Sequence, residues 1–152
     1  MKNTLFKISL ILLFLSNCGY SPIYSVSNKN EININIVSLQ GDKNINNLLF
    51  NKLKNYKKEK SDKNYQVKII SKYDKKILTK NTAGDPTNYR LILDVDLIAI
   101  QNENRIEINF DESFDMKKGD TTFEEETYEK QILQNMINSI VSKFVSRLAE
   151  IQ

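Results

Sequence analysis

An α+β fold is predicted for this chain: a two-layer sandwich with two helices packed on one face of a four-stranded, mostly antiparallel sheet. Several segments alternate apolar and polar residues with a period of two, the pattern of strands with one buried face. Two other segments repeat apolar residues every three or four positions, as amphipathic helices do. Their order along the chain is strand, helix, three strands, helix. Packing both helices on one sheet face buries every apolar face.

A strand and a helix open this pattern. Ile32, Ile34 and Ile36 alternate with asparagines and predict a strand over about 31–39. A glycine and an aspartate interrupt the alternation. Apolar residues then recur at spacings of three and four and predict a helix over about 43–58. The lysine-rich end of that segment suits the negative end of a helix dipole.

Three strands follow the first helix. The second strand begins at Tyr65, and its outer face is solvent-exposed and basic. A turn at 82–86 follows, where Pro86 is expected to end regular pairing. The third strand opens at Tyr89 with the most regular alternation in the chain. The residues predicted to point inward from these two strands are Tyr65, Val67, Ile69, Ser71, Tyr73, Tyr89, Leu91, Leu93, Val95 and Leu97.

The last strand and the last helix complete the fold. A short polar link at 101–104 predicts an antiparallel hairpin between the third and fourth strands. In the fourth strand, Ile106, Ile108, Phe110 and Phe114 are predicted to point inward. Farther on, a threonine and a glutamate three positions apart predict the capping box of a long helix. That pair is Thr122 and Glu125, and the apolar stripe of the helix is Ile132, Leu133, Met136, Ile137, Ile140, Val141, Phe144, Val145, Leu148 and Ile151.

The N-terminal residues have the outline of a signal peptide. Lys2 and Lys7 flank the start of an apolar run that ends at Leu15, about half the length of the roughly 20 residues that span a membrane. The residues that follow resemble a lipobox, in which the cysteine is alkylated by diacylglycerol and becomes the new N-terminus. They are Leu15-Ser16-Asn17-Cys18, and Asn17 is bulkier than the Gly, Ala or Ser usual before the cysteine. The alternative is a free thiol.

Three segments are therefore expected. Residues 1–17 form a signal peptide, residues 18–30 an extended leader lipidated at Cys18, and residues 31–152 a single α/β sandwich domain. Because Cys18 is the single cysteine, no disulfide forms within one chain and the core alone must stabilise the fold.

Composition argues against several kinds of activity. The 152 residues include no histidine, which removes the usual general base and the usual zinc ligand. No metal, cofactor or catalytic residue is expected, and the chain is interpreted as a binding and assembly protein. The 22 basic residues include two in the signal peptide, so the remainder is nearly balanced by 19 acidic ones and nucleic-acid binding is not indicated. Carboxylate catalysis by Asp94 with Asp96, or by Glu107 with Asp111, is the less favoured hypothesis. Acids that point outward from a sheet are more simply interpreted as a solvated surface.

Lysines are concentrated in one stretch. Eleven lysines lie between Lys52 and Lys80 against three acids, which indicates either solvated surfaces or attraction to a phosphorylated amphiphile or an anionic membrane. The residues predicted as contacts for such an anionic ligand are Lys68, Lys72, Lys75, Lys76 and Arg90.

The residues after the cysteine resemble those of a known family. Gly19, Tyr20, Pro22, Ile23 and Tyr24 match the Gly-aromatic-x-Pro-aliphatic-Tyr continuation of the lipopolysaccharide-assembly lipoproteins (LptE). The predicted element order is also similar to that family's fold. The resemblance implies a lipid-anchored protein on the periplasmic face of the outer membrane. There it would plug the LptD β-barrel and support lipopolysaccharide transport.

Two other functions remain open. The chain is otherwise interpreted as an accessory subunit of a different periplasmic envelope complex, or as a solute-binding lipoprotein. Copurification with a large outer-membrane barrel separates the first interpretation from these.

Overall fold

A computed structural model describes residues 32–58 and 61–151. Four strands and two long helices make up this part of the chain, in the order predicted. They are β1 (Ile32–Gly41), α1 (Lys43–Leu53), β2 (Lys63–Lys80), β3 (Pro86–Gln101), β4 (Asn104–Lys117) and α2 (Thr122–Glu150), with a 3-10 turn at Lys54–Tyr56 after α1.

The strands form one mixed sheet in the order β1-β2-β3-β4. β1 runs parallel to β2 because α1 carries the chain back to the same end of the sheet, whereas β2, β3 and β4 pair antiparallel. The buried residues of the sheet and of both helices form one hydrophobic cluster. The predicted two-layer α+β fold is therefore confirmed.

Rows of apolar side chains cross the sheet on the face beneath the helices. Ile69 pairs with Leu97, which pairs with Ile108, and all three are buried. From α2, Ile140 and Phe144 are completely buried against this face. Burying each such large side chain contributes about 1.5–3 kcal/mol to the free energy of folding. Neither α1 nor α2 covers the opposite face, which is here called the outer face.

The junction between β1 and α1 approaches β2 closely. Val37 forms a bulge in β1, and Gly41 ends the strand with φ of +92°. Asp42 then caps α1 by accepting a hydrogen bond from the backbone N–H of Ile45. Beneath it the buried Ser71 hydroxyl donates to the side-chain oxygen of Asn46 over 3.0 Å. The polar groups of this junction are therefore satisfied, as burial requires.

The first helix is shorter than predicted. The α-helical geometry ends at Leu53 instead of residue 58, and the chain is extended again at Lys57. Apolar contacts explain the difference, because Leu53 is buried and the next residues are exposed lysine and asparagine. Lys58 then donates its backbone N–H to the side chain of Asn33 over 2.8 Å, which ties the exit of the helix to β1.

The β2–β3 turn and the start of α2 differ from prediction by small shifts. Pro86 begins β3 opposite Lys80, where it does not end regular pairing, because the first residue of a strand tolerates the missing N–H. The N-cap of α2 is Thr121, not Thr122, and its capping-box partner is Glu124. In this box the Thr121 hydroxyl accepts from the Glu124 backbone N–H, while the Glu124 carboxylate accepts from the Thr121 N–H.

One predicted core residue lies largely outside the core. Phe114 has the predicted phase, yet 42% of it is exposed, whereas Met116 on the same face is fully buried. The first turns of α2 lie over β2, where Glu125 and Glu129 reach Lys75, and so leave the neighbouring part of the edge strand β4 uncovered.

Candidate functional site

The outer face of the sheet is divided into a basic and an acidic side. Lys68, Lys72 and Lys76 project from β2, while acids project from β4 two strands away. Neighbouring strands lie about 4.8 Å apart, so the two columns are separated by roughly 10 Å. Three of the cross-strand rows on this face are Lys68–Ile98–Glu107, Lys72–Asp94–Asp111 and Lys76–Arg90–Asp115.

Four of the five predicted basic residues lie together on this face. Lys68 and Lys72 have no ion-pair partner among the described residues. Lys76 lies 3.5 Å from the carboxylate of Asp74 on its own strand. Arg90 is committed to Asp115 through two hydrogen bonds of 2.6 and 2.8 Å, which raise the pKa of Arg90 and lower that of the carboxyl. Anionic-ligand contact therefore remains a prediction that fits Lys68 and Lys72 best.

The fifth basic residue, Lys75, faces the helices instead. Its ammonium group donates to Glu125 and Glu129 of α2, each over 2.7 Å, and lies 4.3 Å from the centre of the Tyr89 ring. Burial lowers the pKa of Lys75, but the hydrogen bonds and charges of the two glutamates more than offset this and raise it. Lys75 thus joins the end of β2 to the start of α2.

Tyr73 belongs to the same cluster. Its hydroxyl donates to Glu129 over 2.6 Å. Burial raises the pKa of Tyr73 strongly, and the bonded carboxylate of Glu129 raises it further, because both disfavour a tyrosinate. We call Tyr73, Lys75, Glu125 and Glu129 the helix clamp. Because two carboxylates of α2 bind the Lys75 ammonium group of β2, the helix clamp stabilises the packing of α2 on β2.

Two of the four outward carboxylates proposed from the sequence have polar partners on the same face. Asp96 accepts a hydrogen bond from the side chain of Asn109, and Glu107 pairs with Arg105 at 2.9 Å. Asp94 and Asp111 stand directly opposite each other across β3 and β4. Within residues 32–58 and 61–151, no three carboxylate or thiol groups are placed to hold a metal ion.

The far end of the β2–β3 hairpin exposes apolar side chains. Ile77 lies on the helix-side face and Leu78 on the outer face, and they are 50% and 40% exposed. The hairpin projects beyond the helical layer, which reaches β2 at Lys75. This projecting end, residues 76–87, is here called the hairpin tip. The hairpin tip therefore exposes one apolar side chain on each of its two faces.

Sequence reasoning missed a group of amide side chains on the outer face. Asn33 and Asn35 of β1 lie beside Asn64 and Gln66 of β2, around an open depression. The signal was present, because the asparagines of β1 alternate with buried isoleucines and so must share one face.

The anchor predicted at Cys18 lies outside the described residues. Neither helix of the described body is both long enough and apolar enough to cross a membrane.

Known proteins resemble the chain in structure. No family model and no curated protein matches it in sequence. The crystal structure of the rare lipoprotein B from Shewanella oneidensis has a TM-score of 0.55 and 16% identity, over 76% of this chain and 94% of that one. The solution structure of an uncharacterized lipoprotein B from Nitrosomonas europaea has a TM-score of 0.51 and 16% identity, over 79% and 85% of the two chains. The chain shares their fold.

Proposed function

We propose that this chain is an envelope lipoprotein anchored in the outer membrane through a lipid on Cys18. In this proposal it assembles with a large barrel of the LptD kind and supports lipopolysaccharide transport. The observation that carries the proposal is the shared fold, which spans nearly the whole length of two proteins described as lipoproteins. The cysteine after an apolar run and the Gly-Tyr-x-Pro-Ile-Tyr continuation support the same role.

The proposed role is assembly and not catalysis. The chain contains no histidine, and two of its outward carboxylates, Asp96 and Glu107, are already hydrogen bonded to neighbours on the same face. The hairpin tip is the proposed contact with the barrel, since a ribbon with Ile77 and Leu78 exposed on opposite faces suits insertion into a partner. Lys68 and Lys72 are the proposed contacts for the phosphates of lipopolysaccharide.

Capture from the membrane tests the proposal. The full chain would carry a photo-crosslinking residue at Leu78 and be purified from detergent-solubilised outer membranes of cells that make it. Asn51, exposed on α1, is the matched control position. We expect a large barrel protein, identified by mass, to copurify with both variants and to crosslink from Leu78 but not from Asn51.

The same experiment separates the rival functions. Copurification with a different envelope complex would favour an accessory subunit elsewhere. Recovery of the chain alone, in the outer-membrane fraction and without any barrel, would contradict the proposed partnership and favour a solute-binding lipoprotein. Equal crosslinking from both positions would refute docking through the hairpin tip.

A further inference from the structure

An amide-rich depression opens on the outer face, near the start of β1 and far from the hairpin tip. Its volume is about 410 Å³, within the size range of small-ligand sites. The backbone of Tyr65 forms part of its floor, because the Tyr65 side chain points to the helices and bonds Leu148. The side chains around it are those of Asn33, Asn35, Asn64, Gln66, Ile100 and Asn102.

The strand register assembles this set. Asn35, Gln66 and Ile100 form one row across β1, β2 and β3, and Asn33 with Asn64 forms the next row. Rows on one face are separated by two residues, about 7 Å, and strands by about 4.8 Å, so the set covers roughly 10 Å in one direction and 7 Å in the other.

Two of the amides are held in place by hydrogen bonds. The Asn33 side chain donates to the Asn64 side-chain oxygen over 2.8 Å, and its own oxygen accepts from the Lys58 backbone N–H. Asn64 in turn donates to the carbonyl of Ser61 over 2.9 Å. These bonds fix the orientation of both amides before any ligand arrives, which lowers the entropy lost on binding.

The remaining three amides have no such partners. The side chains of Asn35, Gln66 and Asn102 make no hydrogen bond to any described residue. Each presents two N–H donors and a carbonyl acceptor toward the depression. A fixed amide pair thus lies beside three amides that are free to bind a ligand, around the aliphatic surface of Ile100.

The chemistry of this set selects a class of ligand. Among the described residues, no charged side chain lines the depression, whereas phosphate and carboxylate sites use arginine or lysine. A purely apolar ligand would leave the amides desolvated without partners, at a cost in free energy. An extended peptide pairs with the edge of a sheet, and this depression lies on its face.

We propose that the depression binds a neutral saccharide. The hydroxyl groups of a sugar act as donors and acceptors and so match the amides, and the C–H surface of its ring packs on Ile100. This site does not depend on the proposed barrel partnership, because it lies at the opposite end of the sheet from the hairpin tip and uses none of the lysines.

Ligand-detected NMR tests the proposal on the full chain, solubilised in a zwitterionic detergent without a sugar headgroup. The probes are methyl glycosides of neutral sugars, the disaccharides maltose and lactose, neutral oligosaccharides, and glucose 6-phosphate. We expect at least one neutral probe to bind with a dissociation constant on the order of 1 mM. The oligosaccharides distinguish a glycan chain from a free sugar, because a glycan-specific site binds them more tightly than the methyl glycosides.

Matched variants locate the binding. Asn35→Ala combined with Gln66→Ala removes two exposed amides that make no hydrogen bond within the described body, so the fold is retained. Each lost hydrogen bond weakens binding by roughly threefold to tenfold. Asn138→Ala, in the cleft between the helices, is the control and should bind normally. The proposal is wrong if no neutral probe binds, if only the phosphorylated sugar binds, or if the double variant binds as tightly as the parent.

Discussion

At the residue scale, Gly41 combines a positive φ with a close approach to β2, so a larger residue does not fit there. Its φ is +92°, and a Cβ built there would lie 1.8 Å from the Ser71 carbonyl oxygen. Gly84 has a similar φ of +89° but open space around it, which makes it a matched control. We expect Gly84→Ala to lower the free energy of unfolding by about 1–2 kcal/mol, the usual cost of this backbone region. Gly41→Ala should cost clearly more, because β1 must also move away from β2. Urea unfolding of both variants measures the difference, and equal losses would contradict it.

The helix clamp makes a residue-scale prediction about alkaline pH. The pKa values of Tyr73 and Lys75 are raised in the folded chain above their ordinary values of 10.0 and 10.5. The folded state therefore holds these protons more tightly than the unfolded state. Their contribution to stability is complete below the unfolded pKa values and decreases as the pH rises above about 10.

Tyr73→Phe tests this linkage. The variant loses the hydrogen bond to Glu129, about 1 kcal/mol or more at neutral pH because the acceptor is charged. Its stability should then decrease less than that of the parent between about pH 9 and pH 11. Denaturant unfolding across that range is the measurement. A parent and a variant with the same alkaline loss would exclude Tyr73 as its source.

At the scale of elements, the start of α2 shows that one capping pattern can fit two adjacent positions in the sequence. Both Thr121 and Thr122 have a glutamate three positions later, so the capping-box spacing fits either. The structure uses Thr121 with Glu124, because Glu125 is bonded to Lys75 of β2 and is not available to cap the helix. A tertiary contact thus decides between two equal local patterns.

Two alanine variants test the position of this cap. Thr121→Ala removes the side-chain acceptor for the Glu124 N–H and should lower the free energy of unfolding by about 1 kcal/mol. Thr122→Ala is the matched control, and as an exposed first-turn substitution it should change stability by less than about 0.5 kcal/mol. Thermal unfolding compares them. A larger loss in Thr122→Ala would place the cap at Thr122, as the sequence analysis predicted.

Alternation along the strands was enough to predict most inward residues, and it would also have placed Lys75 on the face beneath the helices. Lys75 follows Tyr73 by two positions and therefore shares the face of Tyr73. Phe114 shows the limit of the same pattern, because phase gives the face but not whether a helix covers it. The amide depression needs the register of three strands, which no local pattern contains.

At the scale of the whole molecule, the sheet is longer than the helical layer. β2 has 18 residues and α2 has 29, which correspond to roughly 60 Å of strand and roughly 43 Å of helix. Since α2 lies over β2 from Lys75 back to Lys63, the hairpin tip must project. On the outer face, the strand order places the lysines of β2 and the acids of β4 on either side of β3, which adds Asp94 and Asp96 to the acidic side.

Anchoring and folding are expected to be separable, because the described strands and helices bury their apolar side chains in one hydrophobic cluster of their own. Cys18→Ala should therefore release the chain from membranes while its thermal unfolding midpoint stays within about 1 °C of the parent. Ser27→Ala, a change in the leader that keeps the thiol, is the control and should sediment with membranes. Sedimentation at high salt measures release, and a Cys18→Ala chain that still sediments would show that another contact with the membrane holds it.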